Sequence, residues 1–259
     1  MQALLSLPAG RMYNAAMSEA HEPDLWDHIE ALRGNLLKAL IGLAVGITIS
    51  FFFTEPVINF LSQPVGGIEN LFSIEVTESV SVYMRVALLC GVIISLPWVL
   101  YQLFDFIGKG LTDKEKKGIW TAIPFATLLF LAGVAFAYTV MLPASLRFFT
   151  DFLQVQTSLR IKSYFSFLTN LLFWIGVSFQ LPLIAFVLAR VGLITAKMLL
   201  RGWRIAIVAI AVLSAVITPT GDPVNMAIFM VPLFGLYLLS IGLAFLAQRK
   251  ESEAKPEEN

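Results

Sequence analysis

The chain has 259 residues, 58% of them hydrophobic and only 14% charged, with a mean hydropathy of +0.79, against about 45–50% apolar and about 25% charged in a soluble domain. That much apolar surface exceeds what a core of this size can bury, so much of it faces lipid. A net charge of zero and a pI near 6.7 exclude the basic footprint of a nucleic-acid-binding protein, and the lone Cys90, set in an apolar run, excludes a disulfide or cysteine-based metal site and reads as a small packing residue.

Residues 1–23 read as an unstructured N-terminal extension without a cleavable signal-peptide pattern, and Met17 offers an alternative start. Residues 25–36 read as helix, with Asp24 as N-cap and Leu25, Ile29, Leu32 and Leu36 forming one apolar stripe. A bilayer core of about 30 Å needs about 20 apolar residues in helix. Six spans are predicted on that basis, at 34–53, 80–104, 119–142, 166–189, 203–217 and 224–246. The fifth rises only about 22 Å, so a thinned bilayer or neighbouring helices must shield its ends. Pro97, Pro124, Pro182 and Pro232 fall within spans and predict kinks, hence a concave rather than cylindrical bundle. Residues 55–78 and 143–165 are expected as the longer loops of one side. In TPTGDP, Asp222 and Pro223 read as an N-cap followed by proline at the first helical position. The expectation is an all-α integral membrane domain over 24–247 with an unstructured tail at 248–259.

Orientation follows from Lys and Arg. With both termini inside, the inner segments carry fourteen of the eighteen and the outer segments three, Arg147, Arg160 and Lys162. The remaining one, Arg85, lies near the outer end of the second span and reads as a snorkelling anchor. Both termini are therefore expected in the cytoplasm.

Catalytic signatures are missing. The two histidines, His21 and His28, precede the first span, and HEPDL lacks the second histidine of a zinc-protease helix. PTGD has proline where an intramembrane aspartyl protease has glycine, and no second intramembrane aspartate makes a dyad. There is no P-loop. Neither enzyme nor cofactor is expected. An ion-coupled secondary transporter of a small solute is the alternative, but transporters keep ionisable groups at the midplane. This interior offers Arg85 near one end and the neutral Gln180.

Five strings carry a resemblance. LWDHIEALRGNLL precedes the first span, and SLPWVLYQLFDFIGKGLTDKEKK closes the second and continues past it. LAGVAFAYTVMLPASLRFF, SYFSFLTNLLFWIGVSFQLP and ITPTGDP follow in order. From residue 25 to about 247 the chain resembles the TatC family, the signal-peptide receptor subunit of the twin-arginine protein translocase; the first string is similar to the family's HLxELRxRL. The resemblance implies a non-enzymatic subunit of a bacterial-type cytoplasmic membrane. It would bind the Arg-Arg motif of folded proteins' signal peptides at the cytoplasmic face, usually with TatB. It would then recruit TatA for export driven by the proton-motive force, and self-assembly is expected. Two guanidinium groups require placed carboxylates that pair them bidentately.

Carried over by position, the loop carboxylate is Glu115, which without the resemblance reads as a solvated charge among lysines. Phe106 and Leu111 match apolar contact positions, where packing is an equal reading. Pro64 matches a proline of the first outer loop, equally a plain turn, and Asp222 matches an aspartate between the last two spans, where a cap is the simpler role. Three positions depart: Ala31 and Gln180 stand where the family has glutamates, and Lys109 where it has proline. Asp27, one turn before Ala31 on the same helix face, and Glu30, about 100° away, are the candidates to replace the missing carboxylate. Arg33 is a site residue that could instead hold Glu30 away from a ligand. The plainer role for Asp27 and Glu30 is to favour the helix N-terminus.

Overall fold

The structure is a computed structural model that describes residues 25–108, 113–151, 159–218 and 223–254. The first helix, α1, runs over Leu25–Ser50, and a short α2 over Thr54–Ser62. The long helix α3 covers Glu78–Gly108, and α4 covers Asp113–Phe136. A π-helical turn at Ala137–Met141 leads into α5, Leu142–Asp151. Then come α6 at Ile161–Ser178, α7 at Leu181–Arg190, α8 at Ala196–Arg201, α9 at Trp203–Ile217 and α10 at Pro223–Ala254. Among the described residues, five segments are long and apolar enough to cross a membrane: Leu32–Ser50, Glu78–Phe106, Ile123–Phe148, Ile161–Arg190 and Met226–Gln248. The sixth apolar helix is the short α9. The fold is the all-α, six-helix membrane architecture expected from hydropathy.

The core gathers around α6. Phe165, Leu168, Leu171, Leu172 and Ile175 are buried there against Val82 and Val86 of α3, Leu142 of α5 and Phe229 and Leu233 of α10. Leu40, Ile41, Val45, Val208, Val231 and Phe245 stay exposed, the apolar exterior that lipid covers.

The α1–α3 seam is the tightest. The two helices run antiparallel, with Asn35 beside Gln102, Gly46 against Gly91 and Ser50 Oγ donating to the Ala87 carbonyl at 2.6 Å. A Cβ on Gly91 would sit 2.6 Å from the Ile47 Cα, so only glycine admits this approach. Near one end of the seam Tyr83 donates to the Phe51 carbonyl at 2.7 Å. Near the other, the Trp98 indole donates to the Lys38 carbonyl at 3.0 Å.

Two expectations need correction. The fourth span is not one helix: α6 ends at Ser178 and α7 begins at Leu181. Pro182 has no N–H for the Ser178 carbonyl, and Gln180 N–H tightens onto the Val177 carbonyl at 2.9 Å instead. By contrast Pro97, Pro124 and Pro232 sit inside continuous helices. The described parts of the stretches read as outer loops carry regular structure. Besides α2 and α5 they contain 3₁₀ turns at Gln63–Val65 and Ile68–Asn70 and a parallel pair of two-residue strands, β1 (Leu71–Phe72) and β2 (Leu159–Arg160). Gly66 and Gly67 take φ of 85° and 104°, a turn that side chains disfavour. Tyr138 and Tyr164 donate to the last carbonyls of α2, those of Phe60 and Leu61, at 2.9 and 2.6 Å.

Beside the strand pair, Glu78 has a fully buried side chain. Its carboxylate accepts Arg160 Nε at 2.7 Å and a second, shorter bond from Arg160 Nη2, which also reaches Glu75 Oε1 at 3.1 Å. Among the described residues Glu78 is the one buried carboxylate. The last helix extends to Ala254, past Gln248 where the tail was expected to begin.

Candidate functional site

The predicted binding residues map mainly to one end of the bundle, where α1 begins, α3 ends and α4 begins. Glu30 and Arg33 are both exposed on α1. Asp27 lies in the first turn of that helix and Glu115 is the third residue of α4; their side chains are outside the described residues. Leu111 lies in the connection from α3 to α4, outside the described residues.

A buried amide organises this end. Asn35 is 5% exposed, and its Nδ2 donates to the Gln102 carbonyl at 3.2 Å and to Asp105 Oδ2 at 3.1 Å. Continuing the antiparallel register one turn along, positions 31 and 32 of α1 stand opposite 105 and 106 of α3. Between the helices lies a groove of about 160 Å³ walled by Leu32, Leu36, Val99, Leu103 and Phe106, with Asn35 among its lining. Leu36 is 65% exposed and Leu32 47%, large apolar side chains held open on a polar end of the molecule. Phe106 is therefore a wall of an apolar groove, half-buried rather than lost in the core. A second groove, of about 470 Å³, lies farther along the same helix pair between Lys38, Ile41, Val45, Ile94 and Trp98.

The other predicted site residues stand apart. Gln180, buried at the α6–α7 break, donates Nε2 to the Ala126 carbonyl of α4 at 2.9 Å, a structural bond between spans. Pro64 is exposed in a 3₁₀ turn of the connection between α2 and α3, where its fixed φ suits the first turn. Asp222 lies outside the described residues, while Pro223 is the first residue of α10. Among the described residues no group of three or more His, Cys, Asp or Glu is placed to hold a metal.

Sequence reasoning missed Asn35 and Asp105. Their only local signals are an amide following an apolar stripe and a single acid inside LYQLFDFIG. The pairing spans 70 positions and no local pattern reports it.

A family profile described as "Sec-independent protein translocase protein (TatC)" matches residues 27–232. The chain belongs to the TatC family. It is 33% identical to the Sec-independent protein translocase protein TatC of Deinococcus radiodurans, over 96% of both chains. It is 33% identical to that of Synechocystis sp., over 85% of this chain and 87% of the relative. The chloroplastic TATC protein of Pisum sativum is also 33% identical, over 88% of this chain and 65% of its own length. A crystal structure of the twin-arginine translocase receptor TatC superposes with a TM-score of 0.77 at 31% identity, covering 86% of this chain and all of that one. The family is one of protein-translocase subunits rather than of enzymes, and the profile covers both helices of the groove, the Asn35–Asp105 pair and Glu115.

Proposed function

We propose that this chain is the core subunit and signal-peptide receptor of a twin-arginine protein translocase, binding Arg-Arg signal peptides of folded proteins at the end where α1, α3 and α4 meet. The observation that carries the reading is the combination at that end. Glu30 of α1 and Asp105 of α3 are exposed on the helix pair that walls an apolar groove open to solvent, and Glu115 is the third residue of the helix that follows. An Arg-Arg signal peptide presents the complement, two guanidinium groups followed by an apolar segment. Lys114, Lys116 and Lys117 beside Glu115 repel a basic motif, so recognition rests on positioned carboxylates and on the groove rather than on net charge.

In this reading the binding end and both termini are cytoplasmic, as the Lys and Arg distribution requires. The membrane is a bacterial-type cytoplasmic membrane, the partners are TatB- and TatA-like single-span subunits and further copies of the chain, and no bond-making chemistry occurs on it. The exposed apolar faces of α9 and α10, at Ile205, Val208, Val212, Val231 and Leu238, suit lipid and single-span helices alike. Ion-coupled transport is disfavoured because, among the described residues, the buried polar side chains of the spans are neutral amides and hydroxyls, apart from Glu78 at the first position of one span. Glu78, the buried acid, sits at the end of α3 opposite the groove and is paired with Arg160.

Expression in cells lacking their own TatC tests the proposal. Export of a folded reporter with an Arg-Arg signal should return, stop on addition of a protonophore and fail with a Lys-Lys signal. Fusions after residues 113, 195 and 255 should report cytoplasmic, and those after 70, 155 and 221 external. Export of neither signal, or a reversed fusion pattern, would contradict it.

A further inference from the structure

We propose that Asp105 is a guanidinium-binding carboxylate of this chain, positioned by Asn35, and that the adjoining groove takes the apolar side chain that follows the arginine. The inference rests on the receptor reading above and names the residues that read the motif on α3. Asp105 is exposed in the last turn of the candidate span Glu78–Phe106, at the end of the molecule where Glu30 and Arg33 are exposed as well. One carboxylate oxygen, Oδ2, accepts the Asn35 amide at 3.1 Å. No ion pair to the acid is formed among the described residues; Arg33 and Lys38, on the facing helix, are both exposed. Asn35 spends its second N–H on the Gln102 carbonyl at 3.2 Å, so the amide is clamped from two sides and cannot swing away.

The result is a carboxylate with a fixed oxygen and a second oxygen open to a planar donor. Guanidinium suits it better than ammonium, because its fork offers two parallel N–H groups to one carboxylate. The groove supplies the second half of the recognition. Asn35 itself lines it, so the charged and apolar elements are joined by one side chain. Leu32 and Leu36 on α1 face Leu103 and Phe106 on α3 across a space of about 160 Å³, room for one or two aliphatic side chains and not for a whole helix. The occupant that fits both is an extended peptide segment with arginine followed closely by leucine or phenylalanine. A lipid would satisfy the groove but leave a carboxylate facing an anionic or zwitterionic headgroup.

The test is equilibrium binding of labelled synthetic signal peptides, one Arg-Arg and one Lys-Lys, to the full chain in lipid nanodiscs. Asp105→Asn keeps the shape and the Asn35 bond while removing the charge. It should weaken Arg-Arg binding about tenfold to a hundredfold, the worth of one charge-assisted bond. Lys-Lys binding should change much less, so the ratio between the two peptides narrows. Asp105→Glu should recover part of that ratio, and Asn35→Leu, which leaves the acid in place without its clamp, should also narrow it. The thermal midpoint of each variant reports folding separately. If the parent prefers Arg-Arg and Asp105→Asn preserves both affinity and ratio, Asp105 plays no part and this inference is wrong while the receptor reading survives. If the parent itself shows no preference for Arg-Arg, the receptor reading fails and this inference with it.

Discussion

Asn35 and Gln180 illustrate two uses of a buried amide in this molecule. Asn35 ties a solvent-facing acid to the helix pair, whereas Gln180 joins α6–α7 to α4 through the Ala126 carbonyl and carries no charge at any accessible pH. Replacing Gln180 with leucine should therefore lower stability by about 0.5–1.5 kcal/mol, read from the midpoint of thermal unfolding in detergent, with peptide binding unchanged. Export that depended on converting Gln180 to glutamate would show that this site had been misread. At Glu115 the expectation is the reverse. Glu115→Ala should leave the unfolding midpoint unchanged and weaken Arg-Arg peptide binding about tenfold to a hundredfold. Glu115 and Phe106 were legible only through the resemblance, since a glutamate among lysines and a phenylalanine at a span end are ordinary in isolation. Asp105 was not legible at all, because its meaning depends on an amide 70 positions away.

Among the elements, the α1–α3 pair is held by close backbone approach at Gly46 and Gly91, and the larger groove is lined by Gly42 and Gly46. Gly91→Ala should cost about 1–3 kcal/mol, since the new methyl meets the Ile47 backbone, which cannot yield without parting the helices. Gly242→Ala on α10, with no atom within 4 Å of the added carbon, should be neutral or stabilising by up to about 1 kcal/mol in the isolated subunit. Equal effects of the two substitutions on the unfolding midpoint would count against glycine-mediated packing. At the opposite end, Arg160→Leu removes the counter-charge of the buried Glu78, whereas Glu75→Gln removes only an exposed partner. Arg160→Leu should lower the midpoint more and expose the segments around β1 and β2 to added protease. Hydropathy located the spans because long apolar runs admit few other readings. It did not resolve the α6–α7 break, since a proline in a helical pattern kinks or ends the helix according to its neighbours. Nor did it foresee the built structure between spans, whose helices are too short and mixed for periodicity to report.

Taken whole, the molecule is a six-helix membrane body of the TatC family whose charged chemistry is kept at its ends. Among the described residues the buried polar side chains between those ends are amides and hydroxyls. That distribution suits a receptor that holds a peptide at one surface rather than one that moves an ion through its middle. The most direct test is site-specific photo-crosslinking from position 106, in the groove wall, to Arg-Arg and Lys-Lys signal peptides presented to the full chain in membranes. The account predicts strong crosslinks to the Arg-Arg peptide, weak ones to the Lys-Lys peptide, and none from a probe at position 64 in the opposite connection. Equal crosslinking of both peptides, or labelling at position 64 and not at 106, would contradict it.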